Sequence, residues 1–129
     1  MNRGGADLDE VRTARALAAG RLDPGLWDPA LARLAALARE HGFRVVVAYL
    51  PSAHAAYAPR VRFSDPQVGR EVAALDEAQR RALAVLAVRH DMGYEDCTAS
   101  LRTARRGSEP AYFPGNLHLR ACEGIARRA

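Results

Sequence analysis

At 129 residues with 49% hydrophobic composition, the chain has the length of one ordinary domain and enough apolar content to build a core. Its formal charge of +4 suits an acidic partner, but its arginines alternate with acids in Glu71, Asp76, Glu77, Arg80 and Arg81, the pattern of solvated helix faces. Arg102, Arg105, Arg106 and Arg120, Arg127, Arg128 form local basic excess without the interleaved aromatics that stack on bases, so nucleic-acid binding is not expected.

Cys97 and Cys122 are too few for a disulfide scaffold and lack metal-ligand spacing, so both read as small buried hydrophobes. No metal and no organic cofactor is indicated. Met1 to Glu10 contain no apolar run of the signal-peptide kind, and no segment approaches the length of a membrane span. The compartment stays open, since a longer parent protein could be exported.

In chain order, Leu8 to Ala19 predicts a helix that stops at Gly20. Asp28 then stands as an N-cap before Pro29, and Leu31, Leu34, Leu37 and Ala38 recur at helical spacing up to Gly42, giving an amphipathic helix. Trp27 sits where a hydrophobic staple packs and reads as core. Phe43 to Leu50 is a nearly continuous apolar, β-branched run ended by Pro51, which predicts a strand covered on both faces. Residues 51 to 70 read as a long connection with a helical turn at Ser52 to Tyr57.

A third helix is expected from an Asp76 and Gln79 capping box, with Leu83, Leu86 and Ala87 on its buried stripe, ending near Met92 and Gly93. Tyr94 to Cys97 predicts a short strand, and Thr98 or Ser100 opens a short helix running to Arg106. Two parallel strands joined by a crossover helix follow from this order. His41 and His90 fall at helix ends, where a cation suits the dipole, and Asp96 reads as a cap for Thr98. A loop from Gly107 to Asn116 leads through His118 into a last helix over about 120–128.

His118 stands at a loop-to-helix junction, and in open α/β sheets function concentrates in loops at the carboxyl ends of strands. The segment Glu109-Pro110-Ala111-Tyr112-Phe113-Pro114-Gly115-Asn116-Leu117-His118-Leu119 resembles the C-terminal catalytic segment of SGNH/GDSL hydrolases, and the upstream helix, strand ending in Pro51, helix and strand with Asp96 are similar in order. The resemblance spans roughly residues 27–128. It implies an α/β fold, the C-terminal half of a three-layer α/β/α sandwich with a parallel sheet of SGNH or flavodoxin-like kind. It also implies one partial domain over 1–129, in which 1–26 is an N-terminal helical segment and 27–129 the SGNH-like portion.

By the same resemblance His118 is the general base of a serine esterase or carbohydrate O-acyl transferase. A serine hydroxyl is a weak nucleophile until a positioned imidazole takes its proton. The family's acid stands two or three residues before the histidine, where this chain has Asn116 and Gly115. Asn116 can accept a hydrogen bond but supplies no negative charge. The nucleophile comes from a Gly-Asp-Ser turn in that family, and no Gly-Asp-Ser occurs here. The chain therefore reads as a fragment of a longer enzyme, not expected to hydrolyse esters alone.

Substrate in the parent would be an acylated carbohydrate or small ester, with His54 and Tyr57 as substrate contacts by their position after the strand. Taken without the resemblance, Ser52 and His54 read as an exposed loop. The alternative is a non-catalytic or partner-dependent α/β binding module, associating through an exposed sheet edge.

Overall fold

In the computed structural model of the chain, residues 5–58 and 61–103 are described, with side chains from 10 to 58 and 61 to 102. The elements in order are α1 (Gly5–Ala18), α2 (Asp28–His41), β1 (Val46–Tyr49), α3 (Ala53–Ala56), α4 (Pro66–Arg89), β2 (Gly93–Asp96) and α5 (Thr98–Thr103). This is an α/β arrangement. β1 and β2 pair in parallel, with Val46 opposite Gly93 and Tyr49 opposite Asp96, and α4 is the crossover between them.

Helix α4 begins ten residues before the expected capping box, because Asp65 in an extended conformation accepts from the Gln67 amide and Pro66 sits in the first turn. Asp76 and Gln79 therefore lie inside α4 and cap nothing. The helix takes up the last quarter of the expected long connection, residues 66–70. Its Leu86 and Ala87 are buried as expected, while Leu83 is half-buried.

At α2 the cap position falls on Trp27, which makes no side-chain cap bond, and Asp28 is the first helical residue. The Asp28 carboxylate turns instead to Arg89 Nη1 and His90 Nε2, each at 2.6 Å, fastening the start of α2 to the end of α4. Trp27 is half-buried, outside the core. The expected leucine stripe is also mostly uncovered: Leu34 and Leu37 are exposed, and Ala35 is the one buried residue of α2.

The strand is shorter than the apolar run that predicts it, and it is covered on one face among the described residues. Alternation puts Val47 and Tyr49 beneath α4, whereas Val46 and Ala48 face away, Val46 at 66% exposure. Tyr94 and Asp96 share the covered face and Gly93 and Glu95 the open one. A continuous apolar run thus does not distinguish a two-sided strand from one whose second face is left open.

Two small cores hold the elements. Ala14 of α1 packs on Val72 and Leu75 of α4, flanked by Val11, Leu17 and Phe63. Ala56 of α3 packs on Leu101 of α5, with Tyr57 and Cys97 against them. Gly20 and Gly42, both with φ near +70°, turn the chain after α1 and α2 in the left-handed region that side chains rarely adopt. No helix of the described residues is long and apolar enough to cross a membrane.

Candidate functional site

Parallel pairing brings the carboxyl ends of β1 and β2 together, and both following connections leave from that end of the sheet. After β1, Ser52 adopts an extended conformation and its Oγ accepts from the Ala55 amide at 3.2 Å, which starts α3 and fixes His54 in its only turn. His54 Nδ1 then lies 2.6 Å from Glu10 Oε2 of α1. The two side chains are 19% and 15% exposed, so the exposed-loop reading of Ser52 and His54 gives way to a largely covered pair.

Burial pushes the Glu10 carboxyl up, but hydrogen bonds from His54 and Ser52 outweigh it and hold the group below its usual value. An ionised carboxylate only accepts, so the proton between them belongs to His54 Nδ1. In the neutral ring the lone pair is then on Nε2. That tautomer is the one a general base needs. Ser52 does not complete a triad, since it donates to the acid rather than to the imidazole.

The His54 ring borders a cavity of about 240 Å³. Asp76 and Arg102 supply further polar wall, and Val61, Phe63 and Val72 supply apolar wall. The rings of His54 and Phe63 lie 5.4 Å apart, inclined at 41°. Arg102 Nη2 donates to the Ala55 carbonyl at 3.2 Å, and Asp76 accepts from the Tyr49 hydroxyl.

A second polar cluster ties α4 to the strand ends. Asp96 accepts from the Thr98 amide at 2.9 Å, the capping role expected of it, and from Arg80 at 3.4 Å. Arg80 also meets Glu77, and Tyr94 donates to the Arg80 carbonyl at 3.2 Å. Asp76 and Arg80 are therefore inward-facing members of this framework, not the solvated face their charge pattern suggests. Burial, then the Asp76 carboxylate, pushes the Tyr49 phenol up, so it stays a hydrogen-bond donor. Burial, then Glu95, pushes the Cys97 thiol up and keeps it protonated against the Ala56 and Leu101 core.

Of the sequence-predicted site residues, His54 lines the cavity, while Tyr57 closes the end of α3 and packs against the Ala56 and Leu101 core. His118 and Asn116 lie outside the described residues, as do Cys122 and the expected last helix. Glu10 and Phe63 were not singled out by sequence reasoning, and Asp76 and Arg102 were read there as a helix cap and as part of a basic cluster, not as site residues. No spacing links Glu10 to His54, which stand 44 residues apart. Among the described residues no three His, Cys, Asp or Glu side chains gather as a metal site requires. No family model, curated protein or solved structure matches this chain.

Proposed function

We propose that the chain forms the later part of an SGNH-like three-layer α/β/α fold and contributes the general base, His118, to a serine esterase or carbohydrate O-acyl transferase. The observation that supports this most is the parallel pairing of β1 with β2 across α4. It sends the 50–57 and 97–103 connections out at one end of the sheet, the end at which ligands meet open α/β sheets. The segment that resembles the family's catalytic loop, residues 109–119, follows in sequence from the second of these connections.

In this reading His118 takes the proton of a serine supplied by another segment or chain, and returns it to the leaving alcohol. Asn116 orients the ring by accepting a hydrogen bond through its carbonyl oxygen, without the charge that steadies an imidazolium. The substrate is an acylated carbohydrate or small ester. The 129 residues alone do not hydrolyse esters, since they hold no Gly-Asp-Ser. A non-catalytic, partner-dependent binding module is the second reading, favoured by Asn116 in the acid's place and by the sheet face left uncovered among the described residues.

Following the reading frame upstream of Met1 tests the first reading. A strand, Gly-Asp-Ser and a helix-forming segment in frame are expected, and the joined protein should hydrolyse p-nitrophenyl acetate. In it, His118→Ala should lower kcat by roughly 10³-fold or more. A frame without such a segment, or an active joined protein indifferent to His118→Ala, overturns the reading.

A further inference from the structure

The cavity beside His54 holds two opposite charges that do not neutralise each other. The Arg102 guanidinium is bonded to the Ala55 carbonyl at 3.2 Å, and the Asp76 carboxylate accepts from Tyr49, yet both residues line the same cavity. A third polar group, His54, is already matched by Glu10 at 2.6 Å. A ligand carrying one net charge of either sign gains from one of Arg102 and Asp76 and is repelled by the other. A ligand carrying both charges gains from both.

Size and lining narrow the class. Val61, Phe63 and Val72 form an apolar wall that takes hydrocarbon, not further polar groups. An apolar cavity of about 150 Å³ accommodates benzene, so about 240 Å³ suits a ligand of roughly ten heavy atoms. The geometry points to a binding site for a small zwitterion, an α-amino acid with an apolar side chain. Its carboxylate meets the Arg102 guanidinium, its ammonium meets Asp76, and its side chain lies against Phe63, Val61 and Val72. His54, held by Glu10, borders the polar end.

Among the described residues the cavity is lined by α3, the segment before α4, α4 and α5, with Glu10 of α1 behind His54. Occupancy would also tie α5 to α4, since Arg102 belongs to one and Asp76 to the other.

Binding of L-leucine to the whole 129-residue chain, followed by the ¹H–¹⁵N shifts of residues around the cavity, tests the assignment against two half-ligands. Isoamylamine carries the ammonium alone, and isocaproate the carboxylate alone. Saturable binding of L-leucine is expected, with each half-ligand about tenfold weaker. Arg102→Gln should abolish the advantage of L-leucine over isoamylamine, and Asp76→Asn its advantage over isocaproate. Asp76→Asn keeps an acceptor for Tyr49. Ala73→Phe, at an exposed position that lines the cavity, blocks it without altering either charge, and should abolish binding while the circular dichroism is retained. No saturable shift with L-leucine up to roughly 50 mM, or a half-ligand binding as tightly as L-leucine, overturns the assignment.

Discussion

At the scale of single residues, Glu10 shows how a carboxylate becomes part of a site far from it in sequence. Its oxygen meets His54 across 44 residues, and the hydrogen bonds it accepts hold it ionised despite burial. A carboxyl whose folded pKa lies below its usual 4.5 stabilises the fold above that pH. The contribution is lost as pH falls from 4.5 through the depressed folded value. Removing the charge should therefore cost most at neutral pH, about 2 kcal/mol for a charge-assisted bond. Chemical denaturation of the parent and Glu10→Gln, repeated from neutral to acid pH, is expected to show their stabilities converging below 4.5. A gap that stays constant in acid would mean that the Glu10 carboxylate is not held by His54 and Ser52. His54 itself was legible as a candidate because it follows a strand, but its partner was not, because sequence spacing carries no signal for contacts between distant helices.

Among the elements, α4 is the one whose sequence signals were most divided. Ser64-Asp65-Pro66 is a helix start by every local rule, with an acid before a proline in the first turn. Gly69 three residues later, together with Pro51 and Pro59 upstream, makes the stretch resemble a continuing loop. Asp76 and Gln79 also mimic a capping box in the middle of the helix. Packing decides the matter, since Val72 and Leu75 complete the core against Ala14 only if the helix already runs through them. β1 gives the opposite lesson. Its presence was legible from β-branched composition and the following proline, and its parallel direction from the helix between the two strands, but its coverage was not, because what lies over Val46 is a property of other elements. If Asp65 is the true cap, Asp65→Ala should cost about 1 kcal/mol and Asp65→Ser should recover most of it. Urea unfolding of the two variants measures this, and equal destabilisation by both would place the helix start elsewhere.

Across the whole molecule, the described residues make a two-stranded sheet with α4 on one face, and the second face is open. Among the described residues each strand also keeps one unpaired edge. Val46 is 66% exposed on that open face, and Val88 of α4 is 79% exposed. Apolar surface and unpaired backbone on one small unit favour association when the chain is concentrated. A charge placed on the open face should oppose it by desolvation, with little effect on folding, because an exposed side chain contributes little to the core. Sedimentation of the 129-residue chain over a range of concentrations is therefore expected to show a concentration-dependent rise in mass. Val46→Lys should reduce that rise while changing the stability, read by urea unfolding, by no more than about 0.5 kcal/mol. Val88→Lys separates the sources. If it abolishes association and Val46→Lys does not, the contact runs through the outer surface of α4, and the open face of the sheet is covered within the chain itself.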